Sequence, residues 1–412
     1  MSFSFVPSGS VTTPRGFLAA GVTAGLKKSG APDLALLVSE TPAVAAGAFT
    51  ANAFCAAPVQ YDRAVIAVGK PVRAVIINSG NANACTGAAG LRDTKATAVF
   101  VARRLGVKPS EVLVSSTGRI GVPMPMDVIL AGAGAAVKAL VPNGGQKAAQ
   151  AIMTTDTKPK AVAVQVKLPG GKVVHIGGMA KGAGMIAPRL LATPRQHATM
   201  LSYVTTDAAV TPRFLDQCLA AALDQSFNRI TVDGDMSTND TLIVLANGSA
   251  GNTPIRAGTP AAAAFAEGFV AVVGRLAREL VLDGEGVTRF VELNVRGARN
   301  REEAQRCAKA IANSALCKTA WFGADPNWGR ILCAAGYSGV KINTAKVSLD
   351  YEGVPIVRGG MSAGTPEPKQ VKAIKRREFR IDLDLGAGKG EYTVWTCDLT
   401  YEYVKINADY HT

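Results

Sequence analysis

A chain of 412 residues with 48% hydrophobic and 18% charged residues, 43 Gly and 21 Pro reads as one large or two medium globular domains, at roughly 100–200 residues per domain. That balance excludes a largely disordered or low-complexity chain. Forty-five Lys and Arg against 31 Asp and Glu give a net charge of +14, which brings nucleic acid into consideration as a partner.

Met1–Gly16 holds one Arg and no apolar run of signal-peptide length, so the cytoplasm is the expected location. Asp33–Glu40 and Ala74–Asn78 read as short apolar strands, and Thr94–Leu105 as a helix ended by Gly106. Val162–Leu168, the turn Pro169-Gly170-Gly171 and Val173–Ile176 predict a hairpin. Phe214–Phe227 predicts a helix after Pro212, Thr241–Ala246 a buried strand, and Pro260–Leu282 a long helix. Glu267, Arg275, Arg278 and Glu279 interrupt the apolar stretch Ala261–Leu282, short of the roughly 20 uninterrupted residues of a membrane span, so a buried helix is expected. Arg301–Ala320 predicts another helix. Val347–Tyr351, Arg380–Leu385 and Glu391–Ile406 read mostly as strands, giving a β-rich C-terminal third. No repeat or long linker separates domains.

Seven scattered Cys with no C-x-x-C pair support neither a disulfide framework nor a zinc knuckle. His175, His197 and His411 stand far apart, in no metal-binding or triad setting, so a His-built metal site or a Ser-His-Asp triad has little material and the search turns to catalysts that manage without imidazole. The densest basic cluster, Lys372, Lys375, Arg376 and Arg377, lacks interleaved aromatics and reads as a solvated face rather than a nucleic-acid site. Gly182-Ala-Gly184-Met-Ile-Ala187 matches a dinucleotide loop in letters only. Pro188 interrupts any following helix and no acidic residue ends a second strand, so a turn with flexible backbone is expected.

Several longer stretches occur in order: Asn78-Ser-Gly-Asn-Ala-Asn83, Ser116-Thr-Gly118 with Ile120-Gly121, Ile152-Met-Thr-Thr-Asp-Thr157 and Ala180-Lys-Gly182. They continue with Ala198-Thr-Met-Leu201, Thr205-Thr-Asp207, Ser226-Phe-Asn-Arg-Ile-Thr-Val-Asp-Gly-Asp235 and Ser237-Thr-Asn-Asp240. Asp283-Gly-Glu-Gly286, Pro326-Asn-Trp-Gly-Arg330 and Ile406-Asn-Ala-Asp-Tyr410 complete the series. Over nearly its whole length the chain thereby resembles the ornithine acetyltransferases, or glutamate N-acetyltransferases, which cleave themselves at an Ala-Thr bond.

The resemblance implies an α/β (α+β) fold, with the layered sheet-and-helix core shared with self-processing aminopeptidases and a β-rich C-terminal part. It implies cleavage between Ala198 and Thr199 into an α chain, residues 1–198, and a β chain, residues 199–412, with a soft boundary near 287–300 to a smaller C-terminal part. Thr199 becomes the nucleophile. Its freed α-amine, with a reference pKa of about 7.7–8.0, is suited to deprotonate the neighbouring hydroxyl near neutral pH. An acetyl ester passes through a tetrahedral oxyanion, and the resemblance assigns Thr117 and Gly118 as its donors. Thr155, Lys181, Glu285, Asn407 and Thr412 correspond to substrate contacts, a set with the cation and anion that an amino-acid substrate requires.

The implied reaction moves the acetyl group of N2-acetyl-L-ornithine to L-glutamate, with acetyl-CoA as an optional second donor, in arginine biosynthesis. No cofactor or membrane is implied, and the cleaved chains are expected to assemble as two α and two β. The alternative is a self-processing aminopeptidase or amidase with water as acceptor. One departure from the family pattern is a set of extra residues within Pro188–His197, which creates a second pair at Ala192-Thr193. Pro194 restricts Thr193, and the downstream register favours Thr199.

Overall fold

The computed structural model describes residues 2–188, Leu190 and residues 200–409. By internal contacts the chain divides into one unit containing the residues up to Asn228 with Met236–Leu280, and a second containing Arg229–Asp235 with the chain from Val281 on.

The first unit runs β1 (Phe3–Phe5), β2 (Phe17–Val22), β3 (Leu34–Phe49), α1 (Ala57–Ala67), β4 (Val72–Asn81), α2 (Gly87–Leu105), β5 (Val112–Arg119), α3 (Met126–Lys138) and α4 (Gly145–Ala151). It continues with β6 (Lys160–Lys167), β7 (Val173–Lys181), β8 (Leu201–Thr206), α5 (Pro212–Leu223), β9 (Thr241–Ala246) and α6 (Pro260–Leu282). The strands hydrogen-bond in the order β1-β6-β7-β8-β9-β3-β4-β5, with β2 added to β3. The long strand β3 belongs to two halves. Leu34–Val38 pairs with β2 and β4, a register shift follows, and Val44–Phe49 pairs with β9.

The two halves pack face to face. Leu37, Val75, Ile77 and Leu113 of one share a core with Met179, Leu201, Tyr203, Ile243 and Leu245 of the other, and Ala148, Ala149 and Ala151 of α4 join it. On the outer face of the first half, Leu36, Ile76 and Val114 meet Ala98, Val101 and Ala102 of α2 and Ile129, Ala133 and Ala136 of α3. The outer face of the second half carries α6, whose Phe265, Phe269, Val272, Leu276 and Leu280 recur at helical spacing and are fully buried. Close approach is made possible by glycine on both sides. A Cβ at Gly178 would lie 2.8 Å from the Leu276 side chain, and one at Gly268 would lie 2.4 Å from that of Val166. Helix α6 has the length and composition of a membrane-crossing helix, yet here it is the outer layer of a helix–sheet–sheet–helix stack.

Strand β5 is the sheet edge, and α1 covers it. Tyr61 Oη shares its proton between Pro109 O at 3.0 Å and Val112 O at 3.3 Å, and Asp62 Oδ1 accepts the Val114 N–H at 2.8 Å, so these outward-facing main-chain groups do not stay open. Burial pushes the Asp62 carboxyl well above its ordinary value, against the hydrogen bonds from Val114 and Ser115.

The second unit contains β10 (Phe290–Ala298), α7 (Arg301–Ala312), α8 (Ala315–Gly323), α9 (Trp328–Gly336), β11 (Ser348–Tyr351), β12 (Val354–Arg358) and β13 (Met361–Ser362). It ends with α10 (Glu367–Ile374), β14 (Glu378–Asp384), β15 (Gly390–Cys397) and α11 (Tyr401–Asp409). Its sheet runs β13-β12-β11-β14-β10-β15, with β10 parallel to β14 and antiparallel to β15. Leu293, Ile381, Leu383 and Val394 meet Cys307, Ile311, Trp321 and Ile331 in its core.

The structure bears out the mixed α/β class and corrects several element boundaries. The helix expected over Arg301–Ala320 is two helices, because Asn313 ends α7 and the Ser314 hydroxyl caps α8 by accepting the Cys317 N–H at 3.3 Å. The strand expected over Glu391–Ile406 stops at Cys397. Thr400 Oγ1 then accepts the Tyr403 N–H at 3.2 Å and starts α11. The helix predicted to reach Phe227 ends at Leu223, followed by a short 3-10 turn at Phe227–Arg229.

Candidate active site

The end of β5 carries Ser116-Thr117-Gly118, and the Asn-rich end of β4 shapes it. Ser116 Oγ donates to Asn78 Oδ1 at 2.6 Å, Asn78 Nδ2 donates to Asn81 O at 2.8 Å, and Asn81 Nδ2 reaches Val122 O and Pro123 O. The ladder is irregular here, since Asn81 pairs with both Thr117 and Arg119. Gly118 has φ +131°, and a Cβ there would sit 2.4 Å from Gly80 C, so only glycine fits against β4.

Lys181, at the last position of β7, is buried and donates from Nζ to Thr117 Oγ1 at 3.3 Å. Beside it lies a buried ion pair, Lys160 Nζ to Asp156 Oδ1 at 2.6 Å. The same Asp156 accepts the Gly182 N–H at 2.7 Å and, through Oδ2, the Thr154 N–H at 2.9 Å. One carboxylate therefore ties the loop bearing Thr155 to the Lys181–Gly182 end of β7. Burial alone would raise the Asp156 carboxyl. The charges of Lys160 and Lys181 and the hydrogen bonds from Gly182 and Lys160 override that and hold it at about 2.

Lys27 stands in electrostatic reach of this group. Burial lowers its ammonium below the ordinary value, against the pull of Asp33, and the Lys181 charge adds to the lowering while Asp156 opposes it. Its loop is rigid: the buried Asp33 carboxylate accepts the N–H groups of Ala24, Gly25, Leu26 and Lys27.

In the second unit Glu285 and Asn407 meet, Asn407 Nδ2 donating to Glu285 Oε2 at 2.7 Å. Glu285 is buried in the loop that follows α6, and Thr400 Oγ1 anchors that loop to the start of α11 by donating to Gly286 O at 2.9 Å. Tyr403 adds Oη to Asp233 Oδ2 at 3.3 Å; burial, then Asp233 and Glu285, raise its phenol.

Among the expected site residues, the structure brings Thr117, Gly118 and Lys181 together, sets Thr155 on a loop bound to them, and pairs Glu285 with Asn407. Ala198, Thr199, Thr412 and the competing pair Ala192-Thr193 lie outside the described residues. Gly182 has φ +148° and no helix covers residues 182–188, as the turn reading requires. Sequence reasoning left out Asp156 and Lys27. Asp156 was visible inside the Ile152–Thr157 stretch, whereas nothing local marks Lys27.

A family model described as the ArgJ family matches residues 18–412. An arginine biosynthesis bifunctional protein ArgJ of Symbiobacterium thermophilum is 48% identical over 407 residues, 98% of this chain and 99% of that relative. Its counterpart from Geobacter sulfurreducens is 49% identical over 399 residues, 97% of this chain and 99% of the relative. A solved chain of ornithine acetyltransferase complexed with ornithine, from Mycobacterium tuberculosis, is 49% identical with a TM-score of 0.43 and covers 46% of this chain and 99% of its own. A family match over nearly the whole chain, with relatives at close to half identity from end to end, settles the assignment: the chain belongs to the ArgJ family.

Proposed function

We propose that the chain works as an N-terminal-Thr enzyme, with Thr199 as nucleophile and Thr117 and Gly118 as oxyanion donors. It is a glutamate N-acetyltransferase of arginine biosynthesis, in keeping with relatives that carry that pathway's name over almost their full length. The hydrolytic alternative, an aminopeptidase or amidase, is not favoured by those relatives.

The observation that carries the reading is the Lys181–Thr117 contact. Because Thr117 Oγ1 accepts from the Lys181 ammonium, the hydroxyl keeps its own proton to donate elsewhere. A hydroxyl donor beside the Gly118 N–H is the equipment an acyl-transfer oxyanion needs.

Self-cleavage after Ala198 releases the α-amine of Thr199, which takes the proton of the Thr199 hydroxyl as the oxygen attacks the acetyl carbonyl of N2-acetyl-L-ornithine. Collapse of the tetrahedral intermediate returns that proton to the departing ornithine nitrogen and leaves acetyl-Thr199. The amine of L-glutamate then attacks the ester, and the same groups act in reverse order. Lys181 has the charge for a carboxylate, Glu285 with Asn407 that for an ammonium, and Thr155 and Thr412 are the remaining proposed polar contacts. Acetyl-CoA serves as a second donor, consistent with the bifunctional name of the relatives. The α chain 1–198 and β chain 199–412 stay together in a tetramer of two each, in the cytoplasm.

The test is acetyl transfer from N2-acetyl-L-ornithine with and without glutamate, followed by mass analysis of the fragments. Glutamate-dependent turnover with acetyl trapped on the Thr199 fragment supports the reading. Equal rates with water alone as acceptor would defeat it.

A further inference from the structure

Three outward-facing main-chain groups, at alternate residues of β5, have side-chain partners. Tyr61 takes Val112 O and Asp62 takes the Val114 N–H; the next in the series, Ser116 O, accepts from Asn239 Nδ2 at 2.7 Å. Asn239 is buried, and the same nitrogen donates to Ala82 O at 2.6 Å. Its Oδ1 accepts the Thr238 hydroxyl at 2.6 Å. Two carbonyls face the nitrogen, which fixes the amide's orientation, since only a donor can face both.

This side chain acts where the strand ladder cannot. The β4–β5 pairing is irregular at Asn81, and the two residues that face each other there, Gly80 and Gly118, both have positive φ and no side chain to hold them. A trans peptide points its C=O and N–H in opposite directions, so the Thr117 carbonyl directed at β4 turns the Gly118 N–H to the same open side as Ser116 O. The direction of that N–H then depends on what pins the preceding peptide.

We propose that Asn239 is a positioning residue for acetyl transfer: by donating to Ser116 O and Ala82 O it clamps the ends of β5 and β4 and aims the Thr117–Gly118 donors at the reacting oxygen. The proposal rests on the reading of Thr117 and Gly118 as oxyanion donors. Asn239 itself touches no substrate.

The test compares Asn239→Ala, Asn239→Asp, Thr117→Ala and Tyr61→Phe, each as the full cleaved enzyme, with intact sites counted by the acetyl-enzyme burst. Both Asn239 variants should lower kcat per intact site by roughly 10–100-fold, the scale of a small misplacement, and leave KM for N2-acetyl-L-ornithine within about twofold. Asn239→Asp should be slowed at least as much as Asn239→Ala, because it turns an acceptor on two carbonyls. Tyr61→Phe removes a cap from the same edge farther back and should lower thermal stability with kcat unchanged. If Asn239→Ala does not fold, Asn239→Ser carries the same comparison. Asn239 variants that lose stability but keep wild-type kcat per site, as Tyr61→Phe does, would overturn the clamp. A Thr117→Ala enzyme at full rate would instead sink the oxyanion assignment and with it the role of Asn239.

Discussion

The Lys181 ammonium donates to the Thr117 hydroxyl at 3.3 Å, which joins the last residue of β7 to the end of β5. A cation bonded there leaves the Thr117 proton directed away from it, toward any acceptor that enters the site. Thr117→Ala should slow kcat by roughly 10²–10³-fold, the usual cost of one oxyanion donor, with a smaller effect on KM. Thr117→Ser keeps the hydroxyl and should retain most of the rate. Steady-state kinetics decide, and a loss below about threefold in the folded alanine variant removes Thr117 from the reaction.

Denaturing separation should give fragments of residues 1–198 and 199–412, and the larger, C-terminal fragment should begin Thr-Met-Leu-Ser. Thr199→Ala should remain a single chain without transfer activity. N-terminal sequencing that starts Thr-Pro-Arg-Gln would move the nucleophile to Thr193. An undivided wild-type chain with full activity would end the mechanism.

Asp156 links acid stability to the site. Its carboxyl stands at about 2 in the folded chain against an ordinary 3.8, so the unfolded chain binds the proton more tightly. A depressed carboxyl contributes stability that is fully present above the unfolded value and lost as pH falls through the folded one, here from about 4 down to about 2, on the order of 2 kcal/mol. Asp156→Asn should flatten that part of the acid-unfolding profile. At neutral pH it should also destabilise by about 3–5 kcal/mol, because it withdraws the carboxylate from a fully buried ammonium. Urea midpoints equal to wild type at pH 7 would refute the assignment.

Glu285→Gln should raise KM for N2-acetyl-L-ornithine by roughly 10–100-fold, the range for losing a charge-assisted hydrogen bond, with kcat less affected. Asn407→Ala, which removes the amide that orients the carboxylate, should move KM the same way by less. Unchanged apparent affinity in Glu285→Gln would take the second unit's pair out of substrate binding.

Elements with a strong local signal were legible from the residues. Thr241–Ala246 and Pro260–Leu282 appear in the structure with those bounds, and the hairpin about Pro169-Gly170-Gly171 forms as read. Asn313-Ser314 escaped notice because each residue is unremarkable inside a helical pattern, and only together do they end one helix and cap the next. The β-branched and aromatic residues after Glu391 suggested strand throughout, but Thr400 redirects the chain into α11. The site was legible mainly through motifs. The pairings that build it were not, since Asn239 and Ser116 lie 123 residues apart and no local pattern announces a contact of that range.

Strand β3 gives the chain a schedule. Its first part finds partners in β2 and β4, which flank it in sequence, but Val44–Phe49 is matched to Thr241–Ala246. During synthesis that stretch waits as an open edge until the distant strand has left the ribosome, the kind of non-local closure that slows folding and exposes chains to misassociation. Asn239 emerges with the same late segment, two residues before β9. The strand that bears Thr117 thus leaves the ribosome well before the residue that clamps it and before the second half of β3 can find its partner.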